Sequence, residues 1–412
     1  MNKLLVAQIG ARMHYAVPRL LQAENRLEHL CTDICAVKGL PRALHWIPPA
    51  LRPPSVKRLL GRVPHGVPRE RITAFDDFGR EYARRRAAAK TASETTAAHL
   101  WAGQNFCERI LQRGLRAADG VYTFNSAGLE LLRHARHQGL RAVMEQTIAP
   151  MQIERELMQA EHASFPEWQA PLEENEPATA FMARERDEWH SADLILCGSE
   201  FVREGIARSG GPAERCAVVP YGVDARFDLA PRPRQGGPLR VLTVGEVGLR
   251  KGSPYVLAAA KLLGSRARFR MVGHVGARPA ALEQLQARVE ITGPVPRAEI
   301  LDHYAWADVF LLPSLCEGSA TVTYEALACG LPVITTPNTG SIVREGEDGF
   351  IVPIRDPEAI AARLEFLLNS TSRLESLSAR ARDGAKAGTL AAYAARLLET
   401  LDRPAAPARA AA

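Results

Sequence analysis

Two glutamates eight positions apart, Glu317 and Glu325, flank the small residues Gly318, Ser319 and Ala320. The spacing places Glu317 in a turn and Glu325 inside a helix expected over residues 319–329 and closed by Gly330. At a helix start the backbone N–H groups lack intrahelical acceptors and the dipole favours an anion, so the amides of Gly318, Ser319 and Ala320 suit a phosphate. A phosphate there, with carboxylates on either side to take sugar hydroxyls, is a sugar-nucleotide site in outline. Arg250 and Lys251, just ahead of Gly252, would supply the fixed positive charge that a departing nucleoside diphosphate needs. Each group also has a plainer reading. Glu317 would be a favourable charge at a helix N-terminus, Glu325 a member of a structural ion pair, and the two cations solvated side chains.

The elements that must position these groups read as a βαβ unit. The apolar run 309–312 is expected as a buried strand and 333–335 as the next strand. The strand-to-helix turn between them is where an open α/β sheet binds ligand. Residues 239–244 read as the strand that opens the second half, which puts Arg250 and Lys251 in the turn facing the same crevice.

The pattern Pro313-Ser314-x-x-Glu317-Gly318, with Glu325 and then Ala328-x-Gly330-x-Pro332-Val333, resembles the signature of retaining GT-B glycosyltransferases of family 4. Leu249-Arg250-Lys251-Gly252, the run Val219-Pro220-Tyr221-Gly222-Val223-Asp224, and Asp348-Gly349-Phe350-Ile351-Val352 join it in the family's order. The resemblance covers residues 191–368 strongly and the preceding part weakly. It implies an α/β GT-B fold, two Rossmann-like doubly wound domains facing a central crevice. It also implies Glu317, Lys251 and Arg250 as catalytic groups. Glu325 is expected on the ribose hydroxyls, Glu317 near the donor sugar, and the base near Pro294 and Val295, read by backbone groups. Where the family often has Gly-Arg, this chain has Gly245-Glu246, so Arg250 is expected to supply that charge. Many relatives carry adjacent glycines in the first turn; here it reads Gly10-Ala11-Arg12-Met13-His14-Tyr15. Arg12 and His14 either meet a substrate on domain closure or stand in a surface turn. Gln146 would take the place of a His that meets the donor sugar in some relatives, or be an ordinary polar strand end.

The implied reaction moves a sugar from a nucleoside-diphosphate sugar, UDP foremost, to a cell-surface glycan or lipid-linked acceptor. Configuration is retained by a front-face displacement in which the departing phosphate oxygen takes the acceptor proton. The chain has no Asp-x-Asp; Asp76-Asp77 lies in an unrelated segment. With lysine and arginine available for the diphosphate, transfer is expected without a metal and with no cofactor beyond the donor. Two other readings stay open. A sugar-nucleotide epimerase or hydrolase on the same fold would want more acid/base groups in the crevice. A non-catalytic sugar-nucleotide-binding partner would show loss of Glu317, Lys251 or Glu325, and all three are present.

With 46% hydrophobic and 24% charged residues in 412, the chain belongs among globular proteins of two or three domains. No apolar run approaches the ~18–20 residues of a membrane span. The start is too short in its apolar part for a signal peptide and reads as a first strand. Seven cysteines, an odd number without metal-site spacing, point to a reducing cytoplasm, with Cys197, Cys216 and Cys329 as core thiols. A formal charge of +6 permits contact with anionic lipid or phosphorylated substrates and does not imply nucleic acid.

The expected layout is a first, acceptor-side domain over 1–225, a linker over 226–238 and a nucleotide-sugar domain over 239–386. A helix over 387–402 is expected to return toward the first domain, and 403–412 to be a disordered tail. The first domain should open with a strand over 4–9, a helix over 18–30 and a strand over 34–37. Seven prolines between residues 39 and 71 exclude a long helix there. In that segment Arg52, Lys57, Arg58 and Arg62 accompany Trp46 and Leu51. The segment reads either as an acceptor loop resting on an anionic membrane at the inner face or as a solvated Pro-rich excursion.

Overall fold

A computed structural model describes residues 3–48, 51–172, 175–227, 229 and 236–403. The first half forms a parallel sheet from β1 (Leu4–Gln8), β2 (Leu27–Thr32), β3 (Ile72–Ala74), β4 (Gly120–Phe124), β5 (Arg141–Gln146), β6 (Leu194–Cys197) and β7 (Cys216–Val218). Their spatial order is β3-β2-β1-β4-β5-β6-β7. The second half repeats the plan with β8 (Leu239–Val244), β9 (Ala267–Val272), β10 (Val289–Ile291), β11 (Val309–Leu312), β12 (Val333–Thr335) and β13 (Gly349–Ile351). Here the order is β10-β9-β8-β11-β12-β13. Alternate strand residues feed opposite faces. Leu5 and Ala7 of β1 lie in one core, and Leu4 and Val6 in another, so the sheet is covered on both sides. In each sheet the order reverses between its first and fourth strands, β1 against β4 and β8 against β11. The turns that follow those strands therefore open on the crevice.

The first half departs from the expected boundaries at one place. The helix ends at Ala23 and β2 begins at Leu27, while residues 34–37 are turn. Asn25 adopts φ +55°, a left-handed stop that breaks the helical run well before Leu30. The Pro-rich segment contains only short helices, Gly39–Ala43 and Pro54–Leu60. Much of the expected linker (228 and 230–235) and nearly all of the expected tail (404–412) lie outside the described residues.

Two elements cross between the sheets. The terminal helix Leu390–Asp402 buries Tyr393, Leu397 and Leu401 against Leu4, Val6 and Tyr15 of the first sheet's core. In the other direction, the helix Met151–Ser164 and the residues after it cross to the second sheet. Met158 and Trp168 are buried there with Leu249 and Tyr255. Glu161, fully buried, accepts a hydrogen bond from Tyr255 Oη at 2.8 Å and pairs with Arg355. None of the seven cysteines is in a disulfide; six are buried and Cys216 is half-buried. Among the described residues no helix is long and apolar enough to cross a membrane.

Candidate active site

The site grows from the close docking of two turns in the second half. Gly252 holds φ +72°, and a Cβ there would lie 2.1 Å from the Pro313 carbonyl oxygen, so only glycine lets the two turns meet. The Leu315 amide donates to the Arg250 carbonyl at 2.9 Å. On the far side, Asn338 holds the same stretch through its side chain to the Leu315 carbonyl at 2.8 Å and its own carbonyl to the Glu317 amide at 3.1 Å. This clamping brings Lys251 Nζ to 2.7 Å and Arg250 Nη1 to 2.9 Å from Glu317 Oε1. Arg250 Nη1 also donates to the Cys316 carbonyl at 3.1 Å. Burial works against the Arg250 charge, yet Glu317 and Glu154 outweigh it and raise its pKa.

The helix that follows is Thr321–Ala328, shorter than the expected 319–329. Residues 318–320 stay outside it because their backbone is committed elsewhere. The Ala320 amide donates to the Thr339 carbonyl at 3.1 Å, which removes it from the expected anion-binding set. Among the described residues the amides of Gly318 and Ser319 have no acceptor. Ser319 Oγ shares a 2.6 Å bond with Tyr324 Oη.

Glu325, half-buried, accepts from Tyr304 Oη at 2.9 Å. Burial pushes its pKa up to about 7, against the pull of Tyr304 and Arg226. Val295 is partly buried and packs against the core cluster that contains Leu242 and Val272.

The first half contributes from across the crevice. Its opening turn takes left-handed geometry at Met13, His14 and Tyr15 in succession, without a glycine among them. Such residues cost on the order of 1–3 kcal/mol each and persist only where surroundings impose them. His14 Nε2 contacts the Arg297 guanidinium of the second half. Arg12 is exposed, with its guanidinium 5.8 Å from the centre of the Phe124 ring. Gln146 does not join the site. It is fully buried and committed, accepting from Trp189 Nε1 at 2.9 Å and donating to Glu185 and the Ile148 carbonyl. A strand end with those three bonds is a structural junction, which corrects its expected place beside the donor.

Sequence reasoning missed two residues here. Gln169 reaches from the crossing segment, accepting from the Leu249 amide at 3.0 Å and donating to the Gly276 carbonyl at 3.2 Å. Glu154 lines two cavities at the crevice. One of them, about 390 Å³, is walled by Arg250, Lys251, Glu246 and Gln169. The other, about 490 Å³, belongs to the first half. No local pattern announces either residue, since both act across a contact made only by the fold.

With this geometry described, the likenesses to known proteins can be set beside it. Residues 238–370 match the family model described as Glycosyl transferases group 1. The putative colanic acid biosynthesis glycosyltransferase WcaL of Salmonella typhimurium is 34% identical over 210 residues, 46% of this chain and 52% of WcaL. The D-inositol 3-phosphate glycosyltransferase of Kineococcus radiotolerans is 32% identical over 284 residues, 60% of this chain and 64% of that protein. The chain thus spans about half the length of the first of these curated relatives. Among solved structures, Anabaena Alr3699/HepE in complex with UDP superposes with a TM-score of 0.63 at 16% identity, covering 97% of this chain and 99% of that one. Sucrose-phosphate synthase from Thermosynechococcus elongatus gives 0.64 at 16% identity, covering 97% and 98%. Likeness at that identity speaks for the fold, which is GT-B.

Proposed function

We propose that this chain, whose second half carries the glycosyl transferases group 1 match, moves a sugar from a nucleoside-diphosphate sugar to a cell-surface glycan or lipid-linked acceptor. UDP is the nucleotide favoured, since HepE, of the same fold, is described in complex with UDP. The observation that carries the reading is the convergence of Lys251 and Arg250 on one oxygen of Glu317, beside the unbonded amides of Gly318 and Ser319. Two cations shared by a single carboxylate keep positive charge in reserve for a diphosphate. Lys251 and Glu317 are buried and Arg250 half-buried, a setting that strengthens that attraction relative to bulk water.

In this reading Lys251 and Arg250 hold the diphosphate and offset the charge that develops on its leaving oxygen. Glu317 takes donor-sugar hydroxyls, and Glu325 takes the ribose hydroxyls. Val295 lies beside the base. The acceptor enters from the first half, attacks from the face the diphosphate leaves, and passes its proton to the departing oxygen, so configuration is retained. Transfer is expected to need no metal, because fixed side-chain cations meet the diphosphate.

The test is thermal stability of the protein with UDP, GDP, ADP and CMP, with and without EDTA. A ligand at ~100 times its Kd stabilises by ~2.7 kcal/mol. A shift with one nucleoside diphosphate, indifferent to EDTA and lost in Lys251→Ala, supports the site. No shift with any of them removes the donor site.

Association with an anionic membrane at the inner, cytoplasmic face is a second proposal. It is supported by Trp46 and Leu51, which are 90% and 72% exposed, with exposed Lys57 and Arg58 nearby. Arg62 pairs with Asp33 at 3.0 Å and Arg52 donates to the Ile47 carbonyl at 2.7 Å, so those two serve the fold first. Cosedimentation with vesicles of anionic lipid, reduced in a Trp46→Ala, Leu51→Ala variant and absent with zwitterionic lipid, is the expected outcome.

A further inference from the structure

The helix Met151–Ser164 starts just past the end of β5 and is seated by Ile153, which packs with Cys316, the residue before Glu317. The next residue, Glu154, therefore stands between the halves. It lines the cavity that contains Arg250 and Lys251 and also the first half's own cavity. Its carboxylate, half-buried, accepts no hydrogen bond from any described residue. Its charged neighbours include Arg250, Glu317, Glu246 and Glu185.

The polar groups around the first half's cavity include both acceptors and donors, with Tyr82 and His99 among those able to donate. Thr95 and Thr96 donate their hydroxyl protons to the carbonyls of Thr91 and Ala92, at 3.0 and 2.9 Å, and so offer lone pairs outward. Asn125 uses its side-chain oxygen on Thr147, at 2.8 Å from the hydroxyl, which leaves its NH2 group for a ligand. Glu185 already accepts from the Met151 amide and from Gln146. Among the described lining residues Arg12 is the one with a permanent positive charge, against the carboxylates of Glu154 and Glu185. Burial raises the pKa of both carboxyls, Glu185 to about 7, and a phosphate or a carboxylate, which brings acceptors only, would further oppose their ionisation. A sugar brings hydroxyl donors, which suit an unpartnered carboxylate and threonine lone pairs.

We infer that the acceptor of this chain is a neutral, hydroxyl-rich glycan end that fills the first half's cavity and donates a hydroxyl to Glu154, which holds it toward the donor site. The inference rests on the glycosyltransferase reading above. It separates this chain from an enzyme built for a phosphorylated acceptor, as the name of the inositol 3-phosphate relative describes.

The experiment is calorimetric titration of the full chain, first with UDP and then, with UDP saturating, with two sets of soluble probes. One set is neutral: the p-nitrophenyl glucoside, galactoside and mannoside. The other is anionic: p-nitrophenyl glucuronide and inositol phosphate. At least one neutral glycoside should bind, and more tightly than either anionic probe. Glu154→Ala should weaken that glycoside about ten- to hundredfold, the loss of a hydrogen bond to a charged group, and by clearly more than it changes UDP affinity. Glu154→Lys should move the preference toward the glucuronide. Tighter binding of an anionic probe to the wild type, no binding of any neutral glycoside, or an unchanged affinity in Glu154→Ala overturns the inference while UDP binding leaves the donor site standing. Failure of UDP itself to bind overturns the reading beneath both.

Discussion

Ser199 Oγ donates to the Gly318 carbonyl oxygen at 2.6 Å, so the first half of the chain holds the backbone of the turn that presents Glu317. The approach is close enough to exclude side chains. A Cβ on Gly318 would lie 2.0 Å from the Thr147 carbonyl oxygen, and one on Gly340 would lie 2.3 Å from the Gly318 carbonyl oxygen. These are backbone atoms, which cannot swing aside as a flexible side chain can.

Gly318→Ala is accordingly expected to push the two halves apart. The variant should melt several degrees below wild type, roughly 2 kcal/mol for a change of this kind, and should lose the stabilisation given by UDP. Ser199→Ala should cost about 1–3 kcal/mol, for leaving a buried carbonyl without its donor. Thermal denaturation with and without UDP checks both. A Gly318→Ala protein that melts and binds like wild type would show that the turns do not touch in solution.

At the shared Glu317 oxygen, binding and turnover should separate. Lys251→Ala removes a cation from the diphosphate and is expected to weaken UDP binding about ten- to hundredfold. Glu317→Gln keeps both cations and should bind UDP at least as well, since they lose their internal competitor. Its transfer rate should nevertheless fall about 10²-fold if the carboxylate stabilises developing charge. Calorimetry and single-turnover assays read the two effects separately, and wild-type turnover in Glu317→Gln would remove that residue from the chemistry.

Glu325 makes a prediction in pH. Burial lifts its pKa from the usual carboxylate range to about 7, so the folded protein binds this proton more tightly than the unfolded chain. The stabilising contribution is fully present below the unfolded value of ~4.3 and is lost as pH rises through about 7. Across that window wild type should lose up to about 3 kcal/mol relative to Glu325→Gln. Ribose hydroxyls favour the ionised acceptor, so UDP affinity should rise between about pH 6 and pH 8 in wild type and stay level in the variant. Identical pH profiles for the two proteins would count against both statements.

Glu161 tests the crossing segment. Its removal leaves Arg355 and the Tyr255 hydroxyl without their buried partner. Glu161→Ala should destabilise by about 1–3 kcal/mol, chiefly because the Tyr255 hydroxyl loses its acceptor while Arg355 is exposed to solvent. Denaturant unfolding followed by the fluorescence of the chain's five tryptophans, Trp168 of the second core among them, measures it.

The alternating strands and the Glu317–Glu325 spacing were legible because each is written in a local run of residues, whereas the doubly wound strand order was implied only by the family resemblance. Apolar stretches such as 309–312 admit one period, and glycines such as Gly252 and Gly330 mark turns. What stayed hidden depends on residues far apart in sequence. Ala320 looked free to bind an anion until Thr339 took its amide. Gln146 looked like a site residue until Trp189 and Glu185 closed on it. Glu154 and Gln169 had no signal at all, because their position depends on a segment of the first half lying on the second. The early stop at Asn25 was missed for a different reason. A single left-handed residue ended a helix whose apolar spacing still ran on.

That crossing segment has a consequence for how such a protein is inherited. Met158 and Trp168 precede the junction in sequence yet sit in the second core, while Tyr393, Leu397 and Leu401 follow it and sit in the first. A single recombination event between two related genes, placed at the covalent junction, would give each half a foreign strap and a foreign terminal helix. Trp168 would face a pocket shaped for another side chain, and Tyr393 likewise. A viable hybrid must carry residues 151–172 with its second half and residues 390–402 with its first. The two halves are therefore exchanged as an interleaved pair rather than as cassettes.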